Sequence, residues 1–360
     1  MDRRVAVFGA GAIGGCAAGY LQNGGVQVTV VDGWYQHVEA IKARGLRVTS
    51  SDGAKFEVPV RAVHLDELES NQWKFDVVFL AVKSYDTGWM TRFLQSYLHP
   101  KGCVVSLQNG INEERIARVV GIQRTVGCVV HMTGALPEPG EVQRTSDAAW
   151  STYTIGALDG REDAARTSGL VDIMSKVGTT HVSDNIFGVL WAKLTLNAMS
   201  NALSGVTGYT VRQLYSDPRS VAAMVQIGGE AVSVCQAAGH KMAPIDISGI
   251  PKAFDPNVLK AAREGDSGAA ELVDQLAADF VTARSGKREN YTSLHQDMAK
   301  GRRTEVDYFN GYIAALGRKL GVAARYNAAM PAIVRDVESG RLPQDPSNMA
   351  ALEELAARSA

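Results

Sequence analysis

Two groups of residues in this chain have the types and spacing that chemistry would need. Gly9-Ala10-Gly11-Ala12-Ile13-Gly14 is G-x-G-x-x-G set directly behind a short apolar strand, Val5-Ala6-Val7-Phe8. In that placement Gly9 makes a tight turn, Gly11 lets the backbone approach a pyrophosphate, and Gly14 lets the next helix pack on the strand. The phosphates would sit at the positive N-terminus of that helix. The second group is Lys193, Asn197 and Asn201, which line one helical face with an ammonium and two amides. Leu190, Leu194, Leu196, Met199 and Leu203 make the rest of that helix apolar, so its polar face calls for a ligand rather than solvent. A lysine facing a nicotinamide can donate a proton to the oxygen that becomes an alkoxide as hydride arrives. Desolvation lowers its pKa toward a useful value. The pattern is one for reducing a carbonyl.

These groups need elements to hold them. A second strand, Val26-Gln27-Val28-Thr29-Val30-Val31, follows the glycine helix and ends in Asp32, which completes a βαβ unit. A carboxylate there accepts hydrogen bonds from the adenosine ribose 2′-OH and repels a 2′-phosphate. NAD(H) is therefore the preferred cofactor, with NADP(H) as the alternative if Lys42 or Arg44 folds back. Trp34 could lie on the adenine or simply pack.

Past Asp32, strands at 75–82, 103–107, 125–130, 153–156 and 180–182 alternate with helices at 87–98 and 164–176. This predicts an α/β fold with an N-terminal Rossmann-type, doubly wound parallel sheet over residues 1–184. From Asn185 onward the strand pattern stops. Helical segments at 187–204, 218–238, 268–283 and 305–320 predict a C-terminal all-α domain over 185–360 that serves substrate binding and dimerisation, with 244–266 as an irregular stretch.

Composition narrows the function classes. The 360 residues carry 37 Lys and Arg against 38 Asp and Glu, a net charge of −1 with no basic stripe for nucleic acid or an anionic membrane. No apolar run approaches a membrane span, and Met1-Asp2-Arg3-Arg4 leads straight into the first strand, so a cytoplasmic protein is expected. Cys16, Cys103, Cys128 and Cys235 lie far apart, the histidines are scattered, and no metal site is indicated; His131 and His181 read as strand-end or surface residues.

A third cluster makes the pattern specific. Ser293 precedes Gly301-Arg302-Arg303-Thr304-Glu305-Val306-Asp307-Tyr308-Phe309-Asn310-Gly311. With the glycine loop, Val82-Lys83-Ser84, Gln108-Asn109-Gly110 and the Lys193 helix, this order resembles the ketopantoate reductase (2-dehydropantoate 2-reductase) family across residues 4 to 330. The resemblance implies hydride transfer between a nicotinamide cofactor and a 2-oxo acid, giving the (R)-2-hydroxy acid. Carried over by position, Lys193 is the general acid and Glu305 contacts the reacting hydroxyl and orients Lys193. Asn197, Asn201 and Ser293 hold the substrate, and Lys83 and Asn109 lie on the nicotinamide and ribose side, Asn109 serving both ligands.

The chain departs from the family at Asp32, where pantoate-forming members using NADPH carry a basic residue nearby, and in a long polar segment from 244 to 288. The readings set beside this one are an NAD-dependent D-2-hydroxy acid dehydrogenase for bulkier branched or aromatic substrates and, more remotely, a catalytically silent NAD-binding regulator. The β-hydroxyacid dehydrogenase group shares the Lys-x-x-x-Asn helix, but the Thr304–Tyr308 run and the Gln108-Asn109-Gly110 turn count against it. The expected partner is a small 2-oxo acid, and apolar helical faces are candidates for pairing two subunits.

Overall fold

A computed structural model describes residues 3–68, 74–147, 152–160, 164–246, 253–286, 289 and 291–358. The chain divides into two compact units, Met1–Ile186 and Phe187–Ala360.

The first unit runs β1 (Val5–Phe8), α1 (Ala12–Asn23), β2 (Val28–Asp32), α2 (Tyr35–Arg44), β3 (Leu46–Thr49), β4 (Lys55–Val58), β5 (Arg61–His64), β6 (Phe75–Leu80), α3 (Thr87–Gln95), β7 (Leu98–Ser106), α4 (Glu113–Val120), β8 (Thr125–Val130), β9 (Gly134–Glu138), β10 (Glu141–Arg144), β11 (Tyr153–Ala157), α5 (Ala164–Met174) and β12 (Thr180–Val182). Its main sheet has the order β12-β11-β8-β7-β6-β1-β2-β5. The strands from β5 to β8 are parallel, as a doubly wound sheet requires. The sheet is not parallel throughout: β11 runs antiparallel to β8.

Every residue of β1 is buried, because helices cover both faces of such a sheet. Val5 and Val7 enter one hydrophobic core while Ala6 and Phe8 enter the other. The chain order reverses beside β1, which pairs with β2 on one side and β6 on the other. Loops at the carboxyl ends of strands at such a switch point are where open α/β sheets bind ligands.

A feature absent from the sequence reading is a second sheet, β4-β3-β10-β9, built from two segments far apart in the chain. β3 pairs in parallel with β10, with Arg47 opposite Glu141. It lies close on α1: a Cβ on Gly19 would come within 2.4 Å of Val48, and one on Gly15 within 2.6 Å of Val142.

The second unit is helical: α6 (Ile186–Thr207), α7 (Val211–Ser216), α8 (Pro218–Ala237), α9 (Asn257–Arg263), α10 (Ser267–Ala283), α11 (Ser293–Ala299), α12 (Asn310–Leu320), α13 (Arg325–Glu338) and α14 (Asn348–Arg358). Local signals set their starts. Asp217 caps α8 ahead of Pro218, and Asp266 caps α10. Two expectations need correction. The stretch 244–266 holds α9 and a bridge between Ile245 and Phe254, with 247–252 outside the described residues. The helix expected over 305–320 is a short 3-10 turn, Val306–Tyr308, followed after Phe309 by α12. Among the described residues no helix is long and apolar enough to cross a membrane, and all four cysteines are buried and unbridged.

Candidate active site

In the first unit the glycine loop joins β1 to α1. Gly9 has φ +93°, and a Cβ there would stand 2.9 Å from the Ala81 carbonyl carbon and from Val82. Only glycine fits that conformation and approach. A Cβ on Gly14 would stand 1.9 Å from the Gly9 oxygen, so the helix could not pack so closely with any other residue. Gly11 differs, since a Cβ there meets nothing within 4 Å and α1 has no side-chain cap at its N-terminus. Backbone open to a ligand beside uncapped amides suits a pyrophosphate. Ala10, Ala12 and Ile13 fill the remaining positions of this turn into α1.

Asp32 ends β2 beside that loop. Its Oδ2 accepts from the Ala10 amide over 2.6 Å, and its Oδ1 accepts from the Trp34 amide over 2.7 Å. The carboxylate therefore fixes both the glycine loop and the start of α2, and it retains lone pairs for a ribose hydroxyl. The two bases that could have turned toward it are engaged elsewhere. Lys42 bonds Glu39 and Glu67, and Arg44 donates to the Pro139 carbonyl.

Lys83 and Asn109 stand on the loops after β6 and β7, which a buried polar network joins. Gln108 Nε2 donates to the Val82 carbonyl (2.7 Å) and to Thr87 Oγ1 (2.8 Å). The Asn109 carbonyl accepts from Ser84 Oγ (3.1 Å) and from Asn112 Nδ2 (2.9 Å). Thr87 Oγ1 in turn donates to the Ser84 carbonyl over 2.9 Å. Ser84, Thr87 and Asn112 are buried, so these bonds act where water cannot replace them.

In the second unit Lys193, Asn197 and Asn201 share one face of α6. Asn197 and Asn201 are buried and Lys193 is half-buried. Burial pushes the Lys193 ammonium below its ordinary pKa, and the charge of Asp246 opposes that shift. Asn201 Nδ2 donates to Ser293 Oγ over 3.2 Å. Thr292 caps α11, and its hydroxyl also donates to the Asn201 carbonyl, which seats Ser293 beside α6.

Glu305 is buried and precedes the Val306–Tyr308 turn, where its carbonyl accepts the Tyr308 amide. On one side the Thr304 amide donates to Glu338 over 2.7 Å. On the other, Asn310 Nδ2 reaches the Ala198 carbonyl of α6 (3.2 Å) and Asn327 Oδ1 (3.1 Å). Asn327 continues to Glu230, whose carboxylate also accepts the Tyr326 and Asn327 amides. Burial raises the pKa of Glu230, and those amides oppose the rise. A buried chain of hydrogen bonds thus links α6, α12, α13 and α8 on the C-terminal side of the Glu305 turn.

The second unit therefore carries an ammonium with a lowered pKa and two amides on one face of α6, a hydroxyl bonded to the second amide, and a buried carboxylate at Glu305 ahead of the Val306–Tyr308 turn. The first unit holds a dinucleotide-type loop and an acid at the end of β2. Sequence reasoning passed over the roles of Thr87, Asn112 and His37, which carry no spacing pattern and whose only signal is a polar type destined for burial; it named Asn310 as part of the Gly301–Gly311 run without giving it a role.

Both units match known proteins. The ketopantoate reductase PanE/ApbA family matches residues 5–160, and the C-terminal ketopantoate reductase PanE/ApbA family matches residues 185–338. A 2-dehydropantoate 2-reductase of Lactococcus lactis is 27% identical over 338 residues, covering 93% of this chain and 98% of the relative. A solved ketopantoate reductase family structure from Ralstonia eutropha is 27% identical with a TM-score of 0.74, covering 94% of this chain and 99% of that one. A D-mandelate dehydrogenase solved with NADH and anilino(oxo)acetate is 26% identical with a TM-score of 0.76, covering 94% of this chain and 98% of that one. With family matches spanning both units, this chain belongs to the ketopantoate reductase PanE/ApbA family.

Proposed function

We propose that this chain reduces 2-dehydropantoate to (R)-pantoate with NADH, using Lys193 and Glu305 as its catalytic residues. The observation that carries the reading is the polar face of α6, where Lys193, Asn197 and Asn201 accompany Ser293 within a family of 2-oxo acid reductases. Nicotinamide supplies the hydride when bound. Gly9, Ala10, Gly11, Ala12, Ile13 and Gly14 would hold its pyrophosphate, Asp32 its adenosine ribose, and Lys83 and Asn109 the nicotinamide side. Lys193 holds a proton at Nζ for the substrate's carbonyl oxygen, and its lowered pKa eases the release. Glu305 orients that ammonium and contacts the product hydroxyl. Asn197, Asn201, Ser293 and Asn109 bind the substrate's polar groups and fix which face of the carbonyl is presented.

The preference for NADH rests on Asp32 together with the engagement of Lys42 and Arg44 by other partners. A 2′-phosphate beside Asp32 would face a carboxylate with neither base turned toward it. The division of labour we propose gives residues 1–184 the cofactor and 185–360 the substrate, Asn109 alone of the first group also serving the substrate.

The test is cofactor oxidation by the purified protein, with NADH and NADPH compared on 2-dehydropantoate and on branched and aromatic 2-oxo acids, and Lys193→Ala as control. Turnover of 2-dehydropantoate with NADH, lost in Lys193→Ala, is expected. Turnover confined to aromatic acids would keep the scaffold and overturn the substrate. Cofactor binding without turnover of any 2-oxo acid would leave a silent binding protein.

A further inference from the structure

His37 makes two hydrogen bonds whose partners each have a single role. Its Nε2 lies 3.0 Å from the Ala10 carbonyl, which can only accept. Its Nδ1 lies 2.9 Å from the Gly140 amide, which can only donate. The ring is therefore neutral with its proton on Nε2, and both nitrogens are used. Ala10 belongs to the glycine loop, whereas Gly140 belongs to the turn between β9 and β10 in the small second sheet.

We infer that His37 is a positioning residue that holds the dinucleotide loop at Ala10 and ties it to the β9–β10 turn, so that the small sheet helps set affinity for the cofactor. The inference rests on the dinucleotide reading of that loop.

Several contacts converge on the same link. Asp32 takes the Ala10 amide while His37 takes the Ala10 carbonyl, so the peptide groups on either side of Ala10 are both held. His37 is fully buried, and Trp34 stacks on its ring with centroids 5.5 Å apart and planes 14° from parallel. Burial lowers its pKa, more than nearby Asp32 and the Ala10 bond raise it, which favours the neutral ring the two bonds demand.

The turn itself is fixed. Gly140 has φ +78°, its carbonyl accepts the Arg47 amide, and Arg44 holds the Pro139 carbonyl. The hairpin also presses on the far side of the loop. A Cβ on Gly134 would approach the Ala12 oxygen to 3.1 Å, and one on Gly15 would meet Val142 and the Ala10 oxygen together. A loop whose amides must meet a phosphate gains affinity when it is held in place beforehand.

Two substitutions separate the two bonds. His37→Gln can put an amide N–H where Nε2 stood and keep the bond to Ala10. His37→Asn can put an oxygen where Nδ1 stood and keep only the bond to Gly140. Calorimetric titration with NADH and with NADPH should show His37→Gln, His37→Asn and His37→Ala each binding the preferred cofactor roughly tenfold more weakly, because each breaks the bridge at one end or both. Wild-type affinity in His37→Gln would show that the small sheet plays no part, and wild-type affinity in His37→Asn or His37→Ala that the ring does not hold the loop; either result would overturn the inference.

If His37→Ala fails to fold, the wild-type ring still decides. Nitrogen-15 correlation spectra should show the Nε2–H tautomer, and an Nδ1–H ring would refute the bridge. Because binding is read directly, a wild-type protein that binds NADH but reduces no 2-oxo acid would sink the proposed activity and leave this link standing. Failure to bind either cofactor would end both.

Discussion

The side-chain amide of Asn201 donates to the hydroxyl of Ser293 across 3.2 Å, and the backbone carbonyl of the same asparagine accepts from Thr292. One residue of α6 thus seats the first turn of α11 by both its side chain and its backbone. Asn201→Ala or Ser293→Ala should each raise KM for the 2-oxo acid by roughly tenfold, and the double variant should cost little more than either alone. Steady-state kinetics on the four proteins measure that coupling. Losses that simply add would mean the two groups act separately.

Lys193→Ala should lower kcat by roughly a hundredfold or more while NADH affinity stays as it was. The wild-type pH profile carries the sign. Reduction needs the ammonium, so its kcat should fall as pH rises through a Lys193 pKa that burial holds below the ordinary value of 10.5. The oxidation of hydroxy acid should rise over the same interval. Asp246 favours the charged form, so Asp246→Asn should move both breaks to lower pH.

Asp32 anchors the backbone at Ala10 and at Trp34 while bearing the charge that a 2′-phosphate would meet. Asp32→Ser is therefore expected to raise KM for NADH by roughly tenfold and to narrow the gap in kcat/KM between NADH and NADPH. Kinetics with both cofactors on the variant give the answer. An unchanged ratio would show that discrimination lies elsewhere.

Glu113, fully buried at the start of α4, has a pKa raised by burial from 4.5 to about 7, against the pull of nearby backbone amides. The folded protein then holds a proton that the unfolded chain has lost, so this contribution to stability is whole below pH 4.5 and disappears as pH rises through about 7. Glu113→Gln should match wild type at about pH 5 and exceed it by about 1–3 kcal/mol near pH 9. Urea unfolding at the two pH values makes the comparison; a variant less stable at both would show that the carboxylate is satisfied in its charged form.

The parts of this molecule that could be read from sequence are those whose cause is local. Each glycine of Gly9–Gly14 answers to a steric demand within the turn, and the stripe Lys193–Asn197–Asn201 follows from the helical repeat alone. Other parts depend on residues distant in sequence. The strands β3, β4, β9 and β10 are four or five residues long; β3–β4 and β9–β10 are local hairpins, but the pairing of β3 with β10 that joins them spans the chain, which no short window displays. The helix expected to begin at Glu305 gives way to a turn whose neighbour Asn310 is bonded to Ala198 and Asn327. His37 has no motif, because its meaning lies in Gly140.

The pairing of Arg47 with Glu141 also bears on how the molecule is made. It closes a loop of roughly 90 residues, and contacts of such long range form slowly because the chain entropy is lost before the pairing compensates for it. On the ribosome, β1, α1 and β2 emerge complete while the turn at Gly140 has yet to be synthesised. A nascent chain therefore carries the glycine loop well before it carries the hairpin that steadies it. Affinity for the dinucleotide would then mark the maturation of the first unit, and a cofactor present during synthesis would favour chains that have finished it.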